Sequence, residues 1–298
     1  MPMARKRNTE QVDGQITLAM CIDSQKMVVQ ANRMIAGRQK LSLNAAKLIR
    51  LAVMQIKPDD EKLQPYLVTV PQLAELLKVA PDNLYATVDE LTDEILKNPI
   101  RIYSDDRQRW VKYPWVSRCE YVSGTGVLIQ LNRELKPFLL ALKERYTQYV
   151  LQDVLTMRSV YAIRLYELIQ SKIMQRVLPM EGLDVEISVQ EIMDACELGE
   201  SYSIFQNLRA RVVDVAVLEI NEKTMYAVGY SYLKESRKVV GFKFHVNMRY
   251  HRAGAVEEEK TEGKKRAAKK RKIVQQFKAE TAADGQGIVP TIGTIQTP

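Results

Sequence analysis

The chain repeats itself, and the repeat limits what it can fold into. The segment SLNAAKLIRLAVMQI, starting at Ser42, returns in degenerate form as SVYAIRLYELIQSKI, starting at Ser159, an offset of 117 residues. Ser42 meets Ser159, Ala45 meets Ala162 and Lys47 meets Arg164, while Leu48, Leu51 and Ile56 meet Leu165, Leu168 and Ile173. Apolar residues recur every three to four positions in both segments, which predicts an amphipathic helix with a serine at its start. A second matching block follows at nearly the same offset: Thr69-x-x-Gln72 in LVTVPQLAELLKV and Ser188-x-x-Glu191 in VEISVQEIMDACEL. Both read as capping boxes, in which the hydroxyl accepts from the third backbone N–H and the longer side chain reaches back to the cap. Pro71 sits in the first turn, where a missing N–H costs nothing.

Each short helix then meets a turn, Val79–Asp82 in one copy and Gly199–Ser201 in the other, and a longer helix. We expect these longer helices at about 83–97 and 203–219, with Ser203-x-x-Gln206 as another capping box. Alternating segments follow. The first copy has NPIRIYS, RWVKYPWVSRCEY, a Gly124-Thr125-Gly126 turn and VLIQLN; the second has TMYAVGYSYL, a charged KESRK turn and VVGFKFHV. These read as hairpins. Helix, short strand, helix, turn, helix, hairpin is the winged-helix order. The expected fold is therefore α+β: two tandem winged-helix domains, each a helix-turn-helix plus β-wing, with a flexible basic C-terminal tail. The expected boundaries are a flexible segment 1–25, domain one over 26–156, domain two over 157–250 and a disordered basic tail over 251–298.

Composition supports this plan. The formal net charge is +8, and the tail carries a basic run from Lys264 to Lys272, which favours a polyanionic partner. Cys21, Cys119 and Cys196 are odd in number and far apart, so they suggest neither a disulfide framework nor a zinc pattern. No stretch approaches a membrane span, and MPMARKRNTE lacks the apolar segment of a signal peptide. The expected location is therefore the cytoplasm, with no membrane partner.

A helix is about as wide as the major groove of B-DNA. The second helix-turn-helix is the better candidate reader. Its long helix opens with Ser203, Gln206, Asn207, Arg209 and Arg211, side chains able to bond guanine or adenine edges. Further along, Val212, Val213, Val215, Ala216, Leu218 and Ile220 are expected in the core. Lys234, Arg237 and Lys238 lie at the wing turn, where phosphates are the natural partners. The first long helix carries Asp89, Glu90, Asp93 and Glu94, which phosphates would repel. This domain is expected to touch backbone through a wing bearing Arg107, Arg109 and Lys112, or to mediate protein contacts. Tyr113, Trp115 and Tyr121 suit either stacking on a partner or the core.

Signals for catalysis are missing. His245 and His251 do not form the His-hydrophobic-His metal pair of a nicking enzyme. There is no phosphate-binding loop motif and no nucleophile elbow. The acidic clusters Asp105-Asp106 and Asp59-Asp60-Glu61 read as solvated loops. We expect no enzyme activity, no metal and no cofactor.

The stretch RYTQYVLQDVLTMRSVYAIRLYELIQ, Arg145 to Gln170, resembles the linker-helix signature of iteron-binding plasmid replication initiators. Its most specific part is Ser159, Tyr161, Ala162, Arg164, Leu165, Tyr166, Glu167 and Leu168. ANRMIAGRQKLSLNAAKLI, the run Tyr202-x-x-Phe205-x-x-Leu208-x-x-Arg211-Val212 with Glu219-Ile220-Asn221, and SRKVVGFKFHV fit the same pattern. The resemblance implies a clamp on double-stranded DNA at the direct repeats of an origin. The C-terminal domain would read bases, with Arg209 and Arg211 foremost, and the N-terminal domain would hold backbone and form a dimer interface. It further implies monomers that open a bacterial plasmid origin and recruit the host initiator and helicase, in equilibrium with homodimers that repress the initiator's own promoter. The alternative is a winged-helix transcriptional repressor that binds an inverted repeat. One departure stands out: many relatives carry a glycine in the wing turn, and Lys234-Glu235-Ser236-Arg237 has none.

Overall fold

Both predicted capping boxes form. The Thr69 N–H donates to Gln72 Oε1 at 2.9 Å, and the Ser188 N–H donates to Glu191 Oε2 at 2.8 Å. Ser42 caps its helix as expected, its hydroxyl accepting from the Ala45 N–H at 3.3 Å. These side-chain oxygens satisfy N–H groups that a helix start leaves without partners. The computed structural model describes residues 27–249 apart from 80, 141, 143, 144, 174–177 and 180 and the side chains of 81 and 82. The expected flexible ends, including Lys264–Lys272, Cys21 and His251, lie outside the described residues.

The first copy begins with β1 (Met27–Ala31), α1 (Asn32–Ile35) and α2 (Leu43–Val53). It continues with β2 (Pro65–Thr69), α3 (Val70–Leu77) and α4 (Pro81–Lys97), then β3 (Ile100–Tyr103), β4 (Trp110–Tyr113), β5 (Val116–Val122) and β6 (Gly126–Leu131). After α5 (Lys136–Leu139), β7 (Tyr146–Val150) pairs antiparallel with β1, and α6 (Leu151–Thr156) leads onward. The second copy is α7 (Val160–Ile173), β8 (Leu183–Ser188), α8 (Val189–Ala195), α9 (Phe205–Leu208), α10 (Asp214–Lys223), β9 (Tyr226–Glu235) and β10 (Lys238–Met248). A π-helical turn, Arg209–Val213, joins α9 to α10 in one helical run.

The duplication reaches into fine detail. The sheets order as β2-β6-β5 and β8-β10-β9, so in each copy the last strand lies central. Gly126 on β6 faces the capping residue Thr69, and Gly241 on β10 faces the capping residue Ser188. A Cβ on Gly126 would lie 2.1 Å from the Val68 carbonyl oxygen, and one on Gly241 would lie 2.9 Å from the Ile187 carbonyl oxygen. Gly126 also has φ of +144°, where side chains are strained. Each copy thus needs a glycine where the central strand passes under the start of the second helix.

Three expectations need correction. RWVKYPWVSRCEY is two strands, because Pro114 removes an N–H and Trp115 turns fully into the core. The wing of the first copy is therefore β5–β6, and Arg107, Arg109 and Lys112 stand on a separate hairpin, β3–β4. Second, the Ser203-x-x-Gln206 capping box does not form. The Ser203 hydroxyl donates to the Glu200 carbonyl at 2.6 Å, and Ile204 takes the cap position. Third, Leu218 is 68% exposed. Ala216 and Ile220 are buried, and a residue midway between them points about 200° away on a helix of 3.6 residues per turn.

The two copies share one continuous core. Nine of the eleven residues of α2 and eleven of the fourteen of α7 are buried. At the break between α6 and α7, the Arg158 and Ser159 N–H groups donate to Glu219 Oε2 on α10. At the centre, Arg50 on α2 clasps Glu167 on α7 with two hydrogen bonds of 3.0 Å. These two residues occupy the same position of the repeat, one carrying each sign. Glu167 also binds Arg164 and the Tyr149 hydroxyl, and Gln30 donates to it at 3.3 Å. Arg164 spends its remaining donors on the carbonyls of Ile35, Gly37 and Ala195.

Burial pushes the Glu167 carboxyl up, but the Arg50 and Arg164 guanidiniums more than offset this and hold it at about 2. That is below its ordinary value of 4.5, so its stabilising contribution is present above about pH 4.5 and is lost as pH falls toward 2. Burial raises Asp153 to about 6, which acts in the opposite sense: its contribution is present below about pH 4 and fades as pH rises through 6. Glu167→Gln should cost about 3–5 kcal/mol in urea unfolding at pH 7, because two buried guanidiniums lose their counter-charge. It should also reduce the loss of stability expected of the unmodified chain between pH 4.5 and 2.

Candidate nucleic-acid interface

The second wing and the tip of the second long helix are built as one rigid piece. Phe205, at the start of α9, stacks on Phe242 of β10 with centroids 5.7 Å apart and meets Tyr232 of β9 edge-on at 5.5 Å. Tyr230 and Phe244 complete the cluster. Such ring pairs contribute beyond the area they bury. Packing therefore fixes the angle between the helix tip and the wing. The wing turn closes without glycine because Ser236 adopts φ of 56°.

The predicted reading residues come together on this piece. Ser203, Gln206 and Arg211 are exposed, and Asn207 and Arg209 are half-buried. Asn207 donates to the Ser201 carbonyl at 2.8 Å, which ties the helix to the preceding loop. Arg209 lies 3.6 Å from Asp214 and donates to the Tyr232 hydroxyl at 3.4 Å. Tyr230 donates to the same Asp214 at 2.5 Å. Arg209 is thus a tethered guanidinium, held by residues that its sequence neighbourhood gave no reason to single out. The π turn starts at Arg209 and widens the helix where the polar tip meets the buried base. Sequence reading missed Tyr232, whose only signal was alternation on an outer strand.

Lys234, Arg237 and Lys238 are all exposed at the wing tip. Ion pairs near this surface run elsewhere, from Arg209 to Asp214 and from Lys243 to Asp184, which also hydrogen-bonds His245. Among the described residues, Arg211 and the three wing cations thus keep their charge free of acidic partners. Fixed cations beside a polar helix tip form a surface complementary to phosphate and base edges.

The first copy differs. Arg107, at the tip of the β3–β4 hairpin, pairs with Asp194 on α8 of the second copy instead of projecting outward. Arg38 binds the same carboxylate at 2.8 Å, and Gln190 donates to it at 3.1 Å. Arg109 and Lys112 are exposed on the hairpin, where Lys112 and Arg101 lie over the Trp110 ring at 5.8 and 4.7 Å. Asp89 and Glu90 are exposed, so α4 does present acidic groups. Glu94 is occupied by binding the Ser42 N–H and hydroxyl, and Asp93 by pairing with Lys97. Trp115 is core, Tyr113 packs on Phe138, and Tyr121 packs on Tyr85.

Among the described residues, no group of three His, Cys, Asp or Glu side chains is placed to hold a metal ion. No described helix is long and apolar enough to cross a membrane. Burial pushes the Cys119 thiol up to about 11 and the Cys196 thiol up to about 12.

Two winged helices in tandem, with a polar helix tip locked to a cationic wing, define a winged-helix DNA-binding protein. The chain belongs to the initiator replication protein family. The model of that family's first winged-helix domain, described as "Initiator Replication protein, WH1", matches residues 27–170, and "Initiator Rep protein, WH2" matches residues 188–246. It is a replication initiator. The first match runs through most of α7, consistent with that helix packing on both copies. An uncharacterized 27.6 kDa protein of Escherichia coli is 26% identical over 219 residues, covering 68% of this chain and 88% of its own. The crystal structure of Pi initiator protein in complex with iteron DNA shares the fold, with a TM-score of 0.61 and 20% identity over 76% of this chain and 99% of that one. Domains 2 and 3 of RctB align over 77% of this chain and 89% of theirs at a TM-score of 0.35 and 11% identity, too low to carry an argument.

The Asp194 cluster makes a prediction. Asp194→Ala should destabilise the chain by about 1–3 kcal/mol in urea unfolding, because Arg38 and Arg107 are deprived together of the buried carboxylate that holds them. Arg107→Ala, which removes a half-exposed partner, should cost less than about 1 kcal/mol. Equal costs would show that Arg38 does not share the load.

Proposed function

We propose that this initiator binds direct repeats, iterons, in the double-stranded DNA of a plasmid origin. The observation that carries the reading is the helix tip locked by aromatic packing to a wing whose cations have no acidic partner among the described residues. In this reading, residues 203–211 enter a major groove, and Lys234, Arg237 and Lys238 hold the flanking phosphates. Arg109 and Lys112 supply backbone contact from the first copy, while Arg107 serves the Asp194 cluster. The Pi initiator, which shares the fold, was solved on iteron DNA, and this supports direct repeats over an inverted repeat. Monomers open the origin and recruit the host initiator and helicase, and a homodimer in equilibrium with them represses the initiator's promoter. The setting is a bacterial cytoplasm. The protein acts by binding and not by cutting.

Footprinting on the DNA that flanks the gene tests the reading. Protection of tandem repeats spaced by about two helical turns is expected; protection of a lone palindrome would make the chain a repressor. On the protected repeat, Arg211→Ala should cost about 1–3 kcal/mol and should cost little on random DNA. Replacing Lys234, Arg237 and Lys238 by alanine should weaken binding to both sequences alike. It should also flatten the salt dependence by about 0.9 for each phosphate that the wing no longer neutralises. In a separate assay, supercoiled plasmid carrying the origin should stay uncut by the protein in magnesium or manganese, and a site-specific nick would overturn the non-enzymatic reading.

A further inference from the structure

The polar tip of the second long helix carries one side chain that does not fit a surface meant for water. Ile204 is 59% exposed. Its neighbours on the tip, Ser203 and Gln206, are exposed and polar. Of the other exposed large apolar residues, Tyr85 leans on Tyr121 and Trp110 lies beneath Arg101, while Leu96, Val111 and Leu218 lie on other elements, away from the tip. Ile204 stands at the cap of α9, where its carbonyl accepts from the N–H groups of Asn207 at 2.9 Å and Leu208 at 3.2 Å. The loop before it is tied down by Ser203 on the Glu200 carbonyl and Asn207 on the Ser201 carbonyl. A β-branched side chain on a fixed backbone has little rotamer freedom. The structure therefore offers a stiff aliphatic group, positioned in advance, at the leading edge of the reading surface.

The major groove presents donors and acceptors on every base pair and one apolar group, the 5-methyl of thymine. An aliphatic side chain in that groove gains by covering the methyl and loses by stripping water from any other base edge. Resting on the proposed reading of this surface, we infer that Ile204 is a specificity residue that selects thymine through its 5-methyl group. Ile204, Asn207 and Arg211 follow one another at spacings of three and four residues along the helical run. At 1.5 Å per residue, Ile204 and Arg211 lie about 10 Å apart along the axis. That is about three base-pair steps, so the selected thymine should fall within about three steps of the base that Arg211 contacts.

Deoxyuridine provides the test, because it keeps every donor and acceptor of thymidine and removes only the methyl. Each thymine of the footprinted repeat is replaced in turn, and affinity is measured for the full chain and for Ile204→Ala. One position should weaken binding of the unmodified chain about three- to tenfold, in keeping with one buried methyl group. Ile204→Ala should bind the thymine repeat more weakly by at least as much and should be indifferent to deoxyuridine at that same position. Ile204→Val should restore the discrimination in part. Unchanged thermal midpoints would show that the variants fold. If no position responds to deoxyuridine, or if Ile204→Ala keeps the same sensitivity, the inference is overturned while repeat binding stands. If the unmodified chain does not bind the repeat at all, the proposed function fails with it.

Discussion

The Glu167 carboxylate is the point through which the two halves of this molecule are joined. Arg50 reaches it from the first copy of the repeat, Arg164 from the second, and Tyr149 and Gln30 from the paired strands β7 and β1. A buried carboxylate with no partner would be prohibitively costly, and so would either guanidinium. Each charge is tolerable only while the others are in place. The network therefore selects one relative placement of α2 and α7, and the hydrophobic core closes around it. Arg164 extends the same logic by satisfying the backbone carbonyls of Ile35 and Gly37 in the first copy and of Ala195 in the second.

Duplication explains how such a joint can arise. Two copies of one unit present the same helix to each other, and identical charges at the facing position would repel. Here the facing position carries arginine in one copy and glutamate in the other. The same divergence continues outward. The first copy commits Glu94 and Arg107 to internal contacts and leaves an acidic long helix. The second commits its aromatic residues to bracing and leaves its cations outside. A shared ground plan thus yields one half with an exposed cationic wing beside a polar helix tip and one whose hairpin reaches back across the joint.

Much of this could be read from residue order. The offset between Ser42 and Ser159, the two capping boxes and the polar opening of the second long helix are local patterns, and local patterns survive in one dimension. The resemblance carried by Ser159 to Leu168 pointed to the same family that the matches over 27–170 and 188–246 define. What escaped were contacts between distant segments. Nothing near Arg107 announces that Asp194, 87 residues away, will take its charge. Nothing near Arg209 announces Tyr232. Leu218 looks like core in one dimension, because an apolar residue in an apolar run betrays its exposure only once the helical phase is known. Pro114 was visible, but only the burial of Trp115 showed that the chain there splits into two strands belonging to different sheets.

The sequence by itself determined the element order, the duplication and the chemical character of the second helix tip, because caps, turns and periodicity act over a few residues. Only the tertiary structure decided which charges remain available for a partner. Availability depends on what folds against each side chain: Arg107 and Glu94 are occupied from afar, while Arg211, Lys234, Arg237 and Lys238 have no acidic partner among the described residues. The same holds for Ile204, an ordinary apolar letter in the chain whose exposure beside the polar tip appears only once Phe205 has packed beneath the wing.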